Sequence, residues 1–348
     1  MNSKHRIQNF WKSFMLVKAD LQKAMKEENI AEYSHILKDL NEKLKTVCAC
    51  GMEIEMSDTG FYEMTFDTAG NKTAQLCAAL LKKDAPKELA EDWIINSYRQ
   101  PLSDKAMHTV LDIQGKSYTG ADFKVYYTIE DALGTLSLKV YCEGLKELAQ
   151  ERRESIVAYM LELFIGELEF EARISHVDII DAPCDEENVC LLPNLYEDIC
   201  DIIIDKDWVE YHDPLSIYTA YKLEEKPVSE TLRNDRKLIV TTNAPLQEEL
   251  MRKEDGMCRD FLALGGEYGF LYYEVLYEDE KEALVRQQLE KEINDLLYPM
   301  SIARTMGGAV GEYYSYIDIA VFDKDGFMIA LEKINEHMNF KIYYKSFL

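Results

Sequence analysis

A chain of 348 residues that is 47% hydrophobic is long enough to bury more than one core, so two domains are the expectation. Sixty-four acidic residues against 39 basic give a formal charge of −25, spread along the chain rather than gathered in a tail. A field of that sign repels phosphate backbones and anionic lipid surfaces, which argues against nucleic acid or a membrane as partner and in favour of a basic protein.

The opening MNSKHRIQNFWKSFMLVKADL starts basic, but Gln8, Asn9 and Lys12 interrupt its apolar positions, so no export leader is predicted. The longest uncharged run, Leu238 to Gln247, is ten residues and too short to span a bilayer. The expected location is the cytoplasm. There the eight cysteines (Cys48, Cys50, Cys77, Cys142, Cys184, Cys190, Cys200 and Cys258) read as reduced thiols. Their C-x-C and C-x5-C spacings match neither a zinc ribbon nor a thioredoxin-like C-x-x-C.

Ile7, Phe10, Trp11, Phe14, Val17 and Leu21 recur at three- and four-residue steps and predict a first helix with one apolar stripe; a second covers Ala31 to Val47. The period then shortens. MEIEMS and FYEMTFDT alternate as strands around an Asp58-Thr-Gly60 turn, and Ala69-Gly70-Asn71 leads into a helix near Thr73 to Lys82. Strand-like runs follow at Trp93 to Tyr98, His108 to Ile113, Phe123 to Ile129 and Thr135 to Cys142, with Gln114-Gly115 and Leu133-Gly134 as turns. A long helix is expected from Leu145 to Ile165, with Leu148, Arg152, Ile156, Tyr159 and Leu163 on one side and Arg152 as its exposed edge. Gly166 should stop it and Glu167 to Asp181 should be a strand.

These elements make residues 1–183 an N-terminal α+β domain. Residues 184–234 read as a connecting segment, with polar loops at 181–188 and from Lys226-Pro227 to Asn234, and a helix (Leu195 to Ile204) and a strand (Ser216 to Leu223) between them. In residues 235–348 the order is strand (Phe270 to Tyr277), helix (Glu280 to Leu297), strands (Ser301 to Arg304, Tyr313 to Phe322), helix (Gly326 to Met338) and strand (Phe340 to Tyr344). That βαββαβ order predicts a ferredoxin-like C-terminal domain, and α+β is the expected class for both domains.

Gly307-Gly308-Ala-Val-Gly311 and Gly265-Gly266-Glu-Tyr-Gly269 each precede a tyrosine-rich strand. Neither is a G-x-G-x-x-G opening a helix, and neither is followed by Gly-Lys-Ser/Thr, so a turn or β-bulge used twice is the reading. Alternation puts Tyr314, Tyr316 and Asp318 on one face of the last long strand, and Tyr272, Tyr273 and Glu274 make a similar set on a neighbouring one. Tyr272, Glu274, Tyr314, Tyr316 and Asp318 are the candidate binding residues, because tyrosines bury area while keeping a polar tip. A carboxylate among them, Asp318, calls for a tyrosine hydroxyl or an arginine.

Chemistry-bearing motifs are otherwise sparse. The six histidines are scattered, and Asp205-Lys-Asp207 and Asp323-Lys-Asp325-Gly326 fail the spacing of a calcium loop. Asp325 is the expected cap of the helix after it, and Asp198, Asp201 and Asp205 read as a solvated face. With no G-x-S-x-G elbow and no cysteine in a catalytic setting, no catalytic residue, metal or cofactor is predicted.

Phe10, Trp11 and Phe14, then Ala85-Pro86, Trp93, Arg99 and Pro101, then the Leu-x-x-x-Ile-Gly-Glu stretch ending at Glu167, resemble a group of uncharacterised bacterial proteins over about the first 180 residues. The resemblance implies a shared bacterial fold and brings no activity, cofactor or catalytic residue with it. The expected function is therefore a protein-binding module, in its sharpest form an immunity-type inhibitor covering a basic partner. One rival is an enzyme working from carboxylates such as Asp318 and Glu274 with Arg304 or Arg99. The other is a homo-oligomer joined through the tyrosine strands.

Overall fold

A computed structural model describes residues 1–57, 59–102, 110–113, 115–223 and 231–348. The turn residue Asp58, the beginning of the strand expected from His108, the turn residue Gln114 and the loop at Lys226-Pro227 up to residue 230 lie outside the described residues. Helix α1 (Ser3–Lys26) opens on Asn2, whose side chain accepts the His5 N–H, and buries the predicted stripe of Ile7, Phe10, Trp11, Phe14 and Leu21. Helix α2 (Ile30–Leu44), strands β1 (Gly51–Met56) and β2 (Tyr62–Asp67), helix α3 (Lys72–Lys83) and strand β3 (Trp93–Asn96) follow, with the strands in the order β1-β2-β3.

Next come a short hairpin, β4 (Leu111–Ile113) and β5 (Lys116–Tyr118), then β6 (Lys124–Glu130), β7 (Thr135–Tyr141), α4 (Gln150–Arg173), β8 (Ile174–Ile180), β9 (Val189–Leu191) and α5 (Leu195–Asp205). The sheet β8-β7-β6-β9 pairs β7 with β8 in parallel and is otherwise antiparallel. Phe123 and Val125, with Leu136, Leu138 and Val140, meet Ile156, Met160 and Phe164 of α4 and Ile199 of α5 in one core.

Helix α4 departs from expectation. Gly166, at φ 78° and ψ 158°, ends the first helical segment as expected, but a second segment, Glu167 to Arg173, follows it in place of the expected strand, and β8 starts only at Ile174. The run ELEFEA alternates as a strand would, but Glu, Leu and Ala are strong helix formers, and propensity wins beyond the glycine. Arg152 is exposed as expected, whereas Tyr159 is exposed too and Arg153 is drawn to the core.

The last third holds β10 (Thr219–Lys222), β11 (Arg236–Thr241), α6 (Ala244–Arg252), α7 (Gly256–Ala263), β12 (Glu267–Glu274), α8 (Asp279–Leu297), β13 (Ala303–Gly311), β14 (Tyr314–Val321), α9 (Lys324–His337) and β15 (Tyr343–Ser346). Six strands form one sheet in the order β10-β11-β13-β14-β12-β15, each adjacent pair antiparallel. Leu271, Ile317, Ile319 and Val321 on one face pack against Leu289, Ile293 and Leu297 of α8 and Phe327 and Leu331 of α9. Two carboxylates pin α8: buried Glu282 accepts the N–H groups of Leu276 and Tyr277 and the Ser315 hydroxyl, and Glu290, paired with Arg286, accepts the Gly307 N–H at 2.7 Å. Asp323, two residues before the expected Asp325, caps α9.

The fold class is α+β, with helices beside mixed and antiparallel sheets. Contacts divide the described chain into two compact units, residues 1–64, 71–97 and 217–348 in one and 65–70 and 98–216 in the other. This differs from the sequential division into 1–183, 184–234 and 235–348. The early elements sort with the last third because Ser3 N–H and Oγ donate to the carbonyls of Gly265 and Leu264, Arg6 donates to that of Ala263, and the Thr73 and Tyr268 hydroxyls share a hydrogen bond. Pairings across 195 to 261 residues leave no local mark in a sequence. Among the described residues no helix is long and apolar enough to cross a membrane.

The two glycine clusters prove different. Gly265, at φ 86°, turns the chain between α7 and β12, as expected. Gly307, Gly308 and Gly311 instead lie inside β13, which runs well past the expected Arg304, and the pairing with β14 slips at a bulge between Thr305 and Gly308. Strand β13 is flanked on both sides, and a Cβ at Gly307 would stand 2.0 Å from the Val240 carbonyl oxygen, one at Gly308 2.0 Å from that of Tyr316. Gly307 also has φ 99°, which no β-carbon tolerates well. Gly307→Ala is expected to cost about 3 kcal/mol in stability, read as a lower urea midpoint with unchanged m-value.

Candidate functional site

The register of β12 against β14 pairs Phe270 with Asp318, Tyr272 with Tyr316 and Glu274 with Tyr314. Directly opposed residues share a face, so all five predicted residues lie together on the face turned away from α8 and α9. Exposure grades along that face. Asp318 (1%) and Tyr316 (0%) are buried, Tyr272 and Tyr314 are half-buried, and Glu274 is exposed at the strand end. Tyr272 stacks on Tyr343 at 5.3 Å and meets Tyr314 edge-on at 5.7 Å, and Tyr343 itself is 44% exposed. The outer end is thus a row of interlocked tyrosines with accessible hydroxyl-bearing edges.

The inner end is a polar network. Arg233, in the left-handed region at φ 68°, sets its guanidinium on both Asp318 oxygens and donates to Gln247 Oε1 at 3.1 Å. The guanidinium carbon lies 5.0 Å from the Phe270 ring and 4.8 Å from that of Phe347, so the charge is sandwiched by aromatic faces as well as paired. Gln247, reaching in from α6, donates to Asp318 Oδ2. Tyr316 accepts the Arg233 backbone N–H at 2.9 Å and donates to Asp235, which also accepts the N–H groups of Tyr313 and Tyr314 at 3.1 and 3.0 Å. Burial, then the bond to Asp235, pushes the Tyr316 hydroxyl above its ordinary range. Burial, then the neighbouring Arg233 charge, brings the Arg236 guanidinium down to about 10.

This sorts the five residues. Asp318 and Tyr316 are committed to internal partners and hold the sheet, while Tyr272, Tyr314 and Glu274 are presented outward. The guanidinium on Asp318 belongs to Arg233, whereas Arg99 serves a different cluster. Sequence reasoning missed Arg233, Asp235 and Gln247; the buried carboxylate implied such partners, and Arg233 sits 85 residues away from it.

A second cluster lies wholly within the unit of residues 65–70 and 98–216. Arg99 pairs with Asp67 at 2.5 Å and with Glu162 at 3.7 Å, its guanidinium lying over the Tyr159 ring. Glu167, fully buried, accepts the Thr68 hydroxyl, the Gly70 N–H at 3.3 Å and the Arg99 N–H at 3.4 Å, while its own N–H donates to the Arg99 carbonyl. Glu162 has a side chain 19% exposed and faces Glu167 and Asp67 as well as Arg99. Burial first, then the charge of Glu167, pushes its carboxyl up to about 7 despite the arginine. A carboxyl that holds a proton near neutrality can donate or accept one there. A Cβ at Gly166 would meet Pro101 N at 2.8 Å.

Among the described residues no group of three or more His, Cys, Asp or Glu side chains is placed to hold a metal ion. Compared with protein-family models, with curated proteins and with solved structures, the chain matches none.

Two outcomes follow from these networks. Arg233→Met strands a buried carboxylate and should cost about 4 kcal/mol in denaturant unfolding, most of it regained when Asp318→Leu is added. The raised Glu162 value means its contribution is fully present below about pH 4.5 and is lost as pH rises through about 7. Glu162→Gln should remove that decline and be the more stable form at pH 8, by on the order of 2 kcal/mol after solvent screening, in melts recorded from pH 4 to 9.

Proposed function

We propose that this is a bacterial, cytoplasmic protein-binding module that offers the outer end of the tyrosine face to a basic partner, with an immunity-type inhibitor as the specific form. The observation that carries the reading is the graded face: Tyr272, Tyr314 and Tyr343 interlock beside a buried network that fixes their strands. Ordered aromatic side chains lose little entropy on binding, the property that makes tyrosine an interface residue. The formal charge of −25 favours a cationic partner and speeds its approach. We also read β12, α8, β13, β14, α9 and β15 as a ferredoxin-like unit extended by β10 and β11. The order β13-β14-β12-β15 with antiparallel neighbours supports it.

Titration against purified basic toxin domains tests the binding reading. Binding that weakens steeply between low and physiological salt, and at least about tenfold more in Tyr272→Ala/Tyr343→Ala with the melting midpoint kept, is the expected result. Absent or salt-independent binding overturns it. A dimer in solution that the same double substitution dissociates would assign the face to a second copy of this chain instead.

A second reading has its own observation. Glu162, half-buried against Arg99, Asp67 and Glu167 with its carboxyl near 7, is a candidate proton-transfer group of an enzyme. It would be carried by the unit of residues 65–70 and 98–216 rather than by the tyrosine face.

A further inference from the structure

We propose that Cys48 and Cys50 form a redox modification site, a thiol pair that a peroxide converts reversibly into a Cys48–Cys50 disulfide. The pair lies in the connection between α2 and β1, and the Cys50 thiol donates to Cys48 Sγ across 3.0 Å. A disulfide needs about 2.05 Å, so closure asks for about 1 Å of movement in a segment outside helix and strand. The Cys48 thiol in turn donates to the Ala74 carbonyl of α3 at 3.3 Å, and Cys77, one turn further along α3, also hydrogen-bonds it. Three thiols therefore meet, of which Cys48 and Cys77 are buried and Cys50 is partly exposed.

That difference in exposure sets the order of events. Burial holds the Cys48 thiol well above the usual range, so Cys50 is the group an oxidant meets first. Cys50 sulfur attacks one peroxide oxygen; an S–O bond forms, the O–O bond breaks, and the departing oxygen leaves as water with the Cys50 proton. Cys50 is now a sulfenic acid, oxidised by two electrons while the peroxide is reduced. Cys48 sulfur then attacks Cys50 sulfur; the S–S bond forms, the S–O bond breaks, and the hydroxyl leaves as a second water with the Cys48 proton. Two thiols and one peroxide give one disulfide and two waters. In a reducing compartment such a bond is transient, which is the character of a sensor and not of a structural staple.

The experiment uses the full chain and hydrogen peroxide, followed by unfolding, alkylation with N-ethylmaleimide and peptide mapping. The expected result is that two of the eight thiols escape alkylation, the intact mass falls by about 2 Da, the peptide containing residues 48–50 carries the link, and dithiothreitol reverses it. Because Cys48 is fully buried and its replacement can disturb folding, the test variant is Cys50→Ser, checked for an unchanged melt. It should slow loss of the Cys48 thiol at least about tenfold, and Cys77→Ser should leave the link in place. A link from Cys48 to Cys77, a link between chains, Cys50 advancing to sulfinic acid with Cys48 still alkylated, or no reaction would each overturn the proposal.

Discussion

The ion pair between Asp318 and Arg233 is the constraint from which much of the larger unit follows. A carboxylate in the middle of a sheet is costly unless it is paired and its remaining lone pairs are filled, and no residue of the neighbouring strands does so alone. Arg233 supplies the charge from a left-handed backbone position, and Gln247 supplies a further donor from α6. Both residues flank β11, so satisfying one side chain also fixes the segment that places β11 along β13. Once β13 has a strand on each side, its bulge has backbone within 2.0 Å of where a β-carbon would stand, and glycine is required at 307 and 308. The glycines are thus a consequence of enclosure, and the enclosure is held by a buried charge.

The same network divides the face into a sealed end and an accessible one. Phe270, Tyr316 and Asp318 are sealed by Arg233 and Phe347, and only two residues further along each strand the side chains become accessible. Aromatic side chains that continue directly from a packed core have little freedom left to lose.

Legibility in the sequence divides along physical lines. The stripe of Ile7 to Leu21, the Ala69-Gly70-Asn71 lead into α3, and the strand–helix order from β12 to β15 are local, and they could be read. So could the common face of Tyr314, Tyr316 and Asp318, because side-chain alternation in a strand is fixed by its geometry, whereas the register that adds Tyr272 and Glu274 to that face is a property of the sheet. Strand β11 and helix α6 share the uncharged run from Leu238 to Gln247, which carries neither a clear two-residue nor a clear helical period. The segment after Gly166 is helical where alternation suggests a strand, because ELEFEA fits both periods. What could not be read was which distant partner answers which buried charge: Arg233 for Asp318, Arg99 for Asp67, Thr68 for Glu167. Long-range pairing is chosen by the folded chain, and one sequence records the need for a partner without its address.

The kink at Gly166 deserves its geometric consequence. In an unbroken α-helix, residues five apart point about 140° away from each other, so Glu162 and Glu167 would look toward different neighbours. The bend gives the helix two axes, and on these both carboxylates converge on Arg99, one through its guanidinium and one through its backbone N–H. A single glycine thus lets two acidic side chains of one helical stretch share one arginine.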